Sequence, residues 1–164
     1  MTLSNMVIRS AAPADTDVLF ELIQALAAYA KLSHQVTGNA AALKAGLFGP
    51  RPYGEAILAE SAGQAVGFAL FFYNFSTFLT QPGIYLEDLF VLPNYRSHGI
   101  GKALLAHVAK LAIERNCGRF EWSVLDWNQP AIGFYQRMGA DVLPDWRICR
   151  VTGAALSELA ARCP

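Results

Sequence analysis

The sequence predicts an α/β layer domain, of the α/β or α+β kind, and three observations predict it. Runs rich in β-branched and aromatic residues alternate with stretches whose apolar residues recur at helical spacing, so strands and helices must be layered on one another. One apolar run, residues 84–92, passes through Pro93 and Asn94 into a glycine loop and at once into a long helical pattern. That helix leads to a further strand, so the two strands it joins form a crossover and should be parallel neighbours. The 164 residues suit one domain with its own core, residues 1–164.

Taken in order, residues 6–10 alternate weakly and read as a first strand. A turn at 11–15 follows, with Asp15 placed to cap the next helix, where Val18, Leu19, Leu22, Ile23, Leu26 and Tyr29 recur at helical spacing to about Leu32. Residues 31–36 read as a loop or frayed helix end. A short helix is expected at 39–47, stopped by Gly49 and Pro50. Residues 55–60 and 64–73 read as a hairpin turned at Ser61-Ala62-Gly63, and 74–83 as a polar and aromatic connection. The central strand, 84–92, reads as buried although it carries Glu87 and Asp88.

The helix after the glycine loop spans 99–115. Ile100, Leu104, Val108 and Leu111 share one face with Leu105 and Ala112 beside them, Lys102, Ala106, Lys110 and Glu114 lie opposite, and Gly118 reads as the stop. His107 falls at the edge of the apolar face and reads as structural. Residues 119–125 form another strand. Residues 129–138 form a short helix with Asn128 as cap and Pro130 in its first turn, ended by Gly139. Residues 146–151 read as a last strand and 153–162 as a terminal helix.

Composition excludes several classes. Hydrophobic residues are 54% and charged residues 16%, which argues against disorder. A net charge of +0, with no basic stripe, argues against a nucleic-acid partner. No apolar run is long enough to span a bilayer, so no membrane partner is expected. No basic region followed by an apolar stretch marks a signal peptide. Cys117, Cys149 and Cys163 are odd in number and widely spaced, giving neither a metal site nor a disulfide framework. A cytoplasmic location is the expectation.

The chemistry begins at Arg96-Ser97-His98-Gly99-Ile100-Gly101-Lys102. The first amides of a helix have no internal acceptor, and the helix dipole adds partial positive charge there. A phosphate can accept from several of them at once. Gly99 and Gly101 lack a Cβ and allow close approach; Arg96 adds a cation. The run is not a P-loop, because the glycines are too close and Ala103 stands where a Ser or Thr is required. Nor is it a dinucleotide fingerprint, because no third glycine follows.

Arg96-x-x-Gly99-x-Gly101 resembles the acyl-CoA pyrophosphate loop of the GNAT superfamily of N-acetyltransferases. Tyr85-Leu86-Glu87-Asp88-Leu89-Phe90-Val91 before it, and the block from Asp126-Trp127-Asn128-Gln129-Pro130 through Phe134-Tyr135 to Gly139-Ala140 after it, look like the diamine (spermidine/spermine) branch. The resemblance runs from about Val7 to about Leu159. It implies a mixed, mostly antiparallel twisted sheet flanked by helices, with a parallel strand pair that splays after a bulge to admit the pantetheine arm. It implies acetyl-CoA as co-substrate and no metal. Leu89, Phe90 and Val91 would offer backbone groups to pantetheine, and Ser97, His98, Gly99, Ile100, Gly101 and Lys102 would hold the pyrophosphate. Asn128 either contacts the arm or caps its helix. It also implies a homodimer, to which exposed aromatics such as Phe75 and Phe78 add weak support.

Transfer from a thioester to an amine needs a neutral amine and a proton for the leaving thiolate. Tyr135 matches the family's catalytic tyrosine, and a phenol with a pKa of about 10 stays protonated beside a thiol of about 8.5. Glu87 matches the residue that meets the amine and takes its proton, directly or through water, with Asp88 in support; in a regular strand the two point to opposite faces. Tyr29 and Asp145 match acceptor-side positions. Polyamine enzymes carry an acidic residue after that Tyr, where this chain has Ala30. Fewer carboxylates weaken the hold on a polycation. The acceptor is therefore read as a small primary amine, either polyamine or lysine-like. A peptide N-acetyltransferase and a non-catalytic acyl-CoA-binding module are the alternatives.

Overall fold

The computed structural model describes residues 6–164. It divides into two compact units, Met1–Ser123 and Val124–Pro164. The first unit holds a five-stranded sheet in sequence order: β1 (Met6–Ser10), β2 (Glu55–Ser61), β3 (Gln64–Ser76), β4 (Gln81–Val91) and β5 (Phe120–Trp122). The first three pairings are antiparallel; β4 and β5 are parallel, joined by the crossover helix α3 (Ile100–Glu114). The parallel pair is what the strand–helix–strand order requires.

Both faces of the sheet are covered. In β2, Ile57 and Leu58 point to opposite faces, yet both are buried. Leu58, Phe68 and Phe90 pack with Leu19 and Leu22 of α1 (Thr16–Tyr29). The other face is covered by α3 through Ile100, Leu104, Leu105, Val108 and Ala112. The helix α2 (Ala40–Phe48) starts on Asn39, whose side chain accepts from the Ala42 amide at 2.9 Å. Arg9 fastens β1 to its surroundings, donating to Asp15 at 2.7 and 2.8 Å and to Glu60 at 2.6 and 3.0 Å.

Several expectations need correction. Asp15 occupies the N-cap position of α1, but its side chain makes no capping bond there; it also ends a 3-10 turn, Pro13–Asp15, and its carboxylate accepts from Arg9 and from the Ala12 amide. The Arg9 guanidinium holds it down to about 2. α1 ends at Tyr29 rather than near Leu32, because Lys31 turns left-handed. The connection at 74–83 is mostly strand: the β3–β4 ladder runs on to Ser76 opposite Gln81. Gly118 does not stop α3. Arg115 caps the helix and Asn116 takes the left-handed turn, while Gly118 donates to the Pro82 carbonyl. A Cβ on Gly118 would meet the ends of the Gln81 and Leu79 side chains at 2.6 and 3.0 Å, so the glycine lies against the β4 strand rather than at the helix end.

In the second unit, α4 (Gln129–Arg137) is capped by Asn128 and closed by Gly139 at φ 91°, as the sequence predicts. α5 (Gly153–Ala160) follows. Residues 146–151 are not a strand; they are exposed and join no ladder among the described residues. β-branched residues make a strand only where an edge takes up their backbone bonds.

Candidate functional site

The anion loop is built by two left-handed residues. Val91 ends β4, a 3-10 turn spans Pro93–Tyr95, and Ser97 (φ 64°) and Gly99 (φ 82°) bend the chain twice before α3 begins. The first helical bond into this end runs from the Ala103 amide to the Gly99 carbonyl at 2.9 Å. The amides of Ile100, Gly101 and Lys102 therefore precede the helix's own ladder. Ser97, Gly99 and Lys102 are exposed, and His98 is half-buried with Nδ1 at 2.7 Å from the Arg96 carbonyl oxygen.

Arg96 acts as a fastener. Its Nε donates to the Val91 carbonyl at 2.8 Å, and its guanidinium lies 4.4 Å from the Tyr29 ring centre and 5.4 Å from that of Phe90. These contacts tie the loop to the end of α1 and to β4. Stacked cations of this kind contribute about 0.5–2 kcal/mol each. Tyr29 is thus brought to the loop by an aromatic face, which spacing alone did not indicate.

The sheet opens beside this loop. β4 and β5 pair only at Ile84–Phe120, Tyr85–Glu121 and Leu86–Trp122. On the other side of β4, Leu70 pairs with Asp88 and Phe71 with Leu86, so Glu87 is an extra residue, a β-bulge. Beyond it, the β5-facing edge of β4 has no strand among the described residues. The Leu92 amide bonds the Val66 carbonyl at 2.9 Å. Alternation from there turns the Leu89 and Val91 backbone groups to the open side and those of Phe90 to β3. The Val91 carbonyl is the one that accepts from Arg96.

The bulge separates the two carboxylates. Glu87 is exposed rather than buried as its strand suggested. Asp88 is the half-buried one: loss of water around it first, then the neighbouring Glu87 charge, push its carboxyl up to about 6. Being paired with Leu70, Asp88 shares a sheet face with Leu70 and Phe72. These two line an apolar hollow of about 300 Å³ with Leu43, Leu47 and Tyr53. The resemblance implied a bulge, but not that it falls at Glu87 or that it leaves Asp88 on the face of this hollow.

In the second unit, Asn128 Oδ1 accepts from the Ala131 amide at 3.3 Å. The capping half of its two expected roles is therefore present. Tyr135, on α4, is half-buried, its ring 5.3 Å from that of Phe134. Asp145 lies in an exposed irregular segment. Cys117 is a half-buried free thiol, and Cys149 and Cys163 are exposed free thiols.

The acetyltransferase (GNAT) family matches residues 23–140 of the chain. A thialysine N-epsilon-acetyltransferase from Mus musculus is 37% identical over 166 residues, spanning 94% of this chain and 97% of its own length. An L-ornithine N5-acetyltransferase from Arabidopsis thaliana is 34% identical over 197 residues, 93% of this chain and 86% of its own. Among solved structures, an integron cassette protein from the mobile metagenome of V. cholerae matches with a TM-score of 0.80 at 25% identity, over 95% of this chain and 98% of that one.

Proposed function

The chain belongs to the GNAT acetyltransferase family and is an N-acetyltransferase, and from that premise we propose that its acceptor is the terminal primary amine of a small aliphatic amino acid of the lysine or ornithine type. The observation that carries this reading is the apolar hollow lined by Leu43, Leu47, Tyr53, Leu70 and Phe72, on the sheet face that Asp88 shares with Leu70. A short methylene chain suits the hollow and a cationic amine suits the carboxylates, whereas a polycation wants more acidic groups than Ala30 and its surroundings supply. The names of the thialysine and ornithine relatives support the same class.

Acetyl-CoA is the co-substrate the family uses, and it supplies the activated acetyl group. The residues present fit it. The amides of Ile100, Gly101 and Lys102, with Ser97, His98 and Gly99 leading to them, suit its diphosphate. The outward backbone groups of Leu89 and Val91 suit its amide-bearing arm. Phe90 and Arg96 hold this frame from behind, and Asn128 caps the helix that bears Tyr135.

Glu87, exposed on its bulge, takes a proton from the ammonium, directly or through water, and leaves a neutral nucleophile. Tyr135 gives a proton to the departing thiolate. No cysteine is assigned an acyl intermediate, so transfer is direct. Tyr29 and Asp145 are assigned to the acceptor side. We take the whole chain as one working domain, supported by a family match that runs from the first unit into the second.

The test is a CoA-release assay against lysine, thialysine, ornithine, spermidine and an amine-bearing peptide. The reading expects the highest kcat/KM among the amino acids. Turnover confined to spermidine or to the peptide overturns it.

A further inference from the structure

The sheet face that walls the apolar hollow also carries a polar cluster. Phe72, on the wall of the hollow, stands opposite Tyr85, with ring centres 5.3 Å apart. Tyr85 is in turn the register neighbour of Glu121 on β5. Side chains at such positions share a face, and so do those two residues along each strand. Asn74 and Arg119 therefore stand on the same face, and their contacts agree. Asn74 Nδ2 donates to Glu121 Oε2 at 2.9 Å, and Arg119 Nε lies 2.7 Å from that same oxygen. Gly83, opposite Asn74, leaves the room: a Cβ there would collide with Asn74 Oδ1 and lie 3.0 Å from Arg119 Cγ.

The cluster is not closed on itself. Among the described residues, Asn74 Oδ1 and Arg119 Nε are the buried side-chain polar atoms that lack a hydrogen bond; the Arg119 Nε–H is near Glu121 but not aimed at it. Glu121 Oε1 accepts from no group among the described residues, and neither Arg119 Nη donates to one. Orphaned polar groups are costly, and each one in a folded protein marks strain or a group that awaits a partner. The Arg119 and Glu121 side chains are 37% and 38% exposed, so a solute can reach both.

We propose that Arg119 and Glu121 hold the α-carboxylate and the α-ammonium of the acceptor, as its specificity-determining pair. This rests on the reading of the acceptor as an amino acid of the lysine or ornithine type. A guanidinium beside a carboxylate complements a zwitterion: the Nη fork takes the carboxylate and Glu121 Oε1 takes the ammonium. The distances are compatible. Glu87 lies two residues along β4 from Tyr85, the neighbour of Glu121, which at a strand's rise is about 6–7 Å. The four or five bonds from Cα to the terminal nitrogen of ornithine or lysine span about 5–6 Å when extended. An acceptor with its head on the Arg119–Glu121 pair and its methylenes over Phe72 and Tyr85 thus brings its amine to Glu87. A polyamine offers Arg119 only like charge. A lysine within a peptide has both head groups tied up in amide bonds.

Steady-state kinetics with three acceptors separate the two halves of the pair: lysine, cadaverine (lysine without its α-carboxylate) and ε-aminocaproate (lysine without its α-amine). The wild-type chain should favour lysine over each of the others by at least about tenfold in kcat/KM. Arg119→Met, which keeps an unbranched stem, should cut the lysine-to-cadaverine ratio at least about tenfold, through KM. Arg119→Lys should recover part of that ratio. Glu121→Gln should instead cut the ratio of lysine to ε-aminocaproate. A ratio cancels any general loss of folded protein or of acetyl-CoA binding. A chain that prefers lysine, with ratios that neither Arg119→Met nor Glu121→Gln moves, overturns the inference and leaves the amino-acid acceptor standing. A wild-type chain that turns over lysine and cadaverine alike overturns it as well. A chain that acetylates spermidine or the peptide and no amino acid overturns the acceptor reading itself, and this inference with it.

Discussion

Glu87 and Asp88 are adjacent, alike in chemistry and opposite in environment, because one extra residue in β4 turns the first to water and leaves the second in the sheet. Asp88 is therefore a liability to stability at neutral pH. Its folded carboxyl is pushed up to about 6, above the ordinary 3.8 of a free aspartate, so the folded state binds the extra proton between those values. Its contribution is fully present below the unfolded pKa and is lost as pH rises through the folded one. Asp88→Asn should raise the urea midpoint at pH 8, by about 2 kcal/mol in stability, with the gain vanishing near the unfolded pKa. A constant difference across pH would contradict this assignment. Tyr135→Phe removes only a hydroxyl. It should lower kcat by about 100-fold or more while acetyl-CoA affinity, measured by calorimetry, stays unchanged. Flanking motifs single out Glu87 and Tyr135 as candidates; the exposure of Glu87 and the stacking of Arg96 on Tyr29 were not legible, because both depend on segments distant in sequence.

α3 illustrates an element whose start and stop are written differently. Its start is local: Gly99 adopts φ 82° and the amides after it precede the helix's own ladder. Gly101→Glu places an acidic side chain in the first turn, where the dipole welcomes it, so the helix should persist. That carboxylate competes with a diphosphate, and acetyl-CoA affinity should fall at least about tenfold by calorimetry. Unchanged affinity would remove the loop from the cofactor site. Its stop was misread, since Gly118 answers to a neighbour across the sheet rather than to its own helix. Gly67 obeys the same rule in β3. A Cβ there would lie 2.7 Å from the Phe90 carbonyl oxygen, a backbone atom that cannot swing away. Gly67→Ala should cost about 1–3 kcal/mol by chemical denaturation.

At the scale of the molecule, the charges cancel, and among the described residues no helix is long and apolar enough to cross a membrane. A net charge of zero sets up little long-range attraction for a cationic amine, so the proposed acceptor should depend on nearby carboxylates. Raising ionic strength from low to about 0.5 M should change kcat/KM for the best amine by less than about threefold. A steep fall would instead indicate long-range steering. The sheet also explains where element boundaries were misjudged. The 74–83 stretch reads as connection because its polar and aromatic residues serve an overhanging hairpin with one open edge. Residues 146–151 read as strand because their composition permits one, but no ladder receives them.

What the sequence determined by itself was whatever rests on neighbours within one turn or one strand: the helix faces, the Asn128 cap, the glycine entry to α3, and the crossover that makes β4 and β5 parallel. The tertiary structure alone decided that the bulge falls at Glu87, that Asp88 is half-buried, where Arg96 sits and how far β3 reaches past β2. Each of these depends on which backbone edge meets which, and register between distant strands is set by packing that no local pattern encodes.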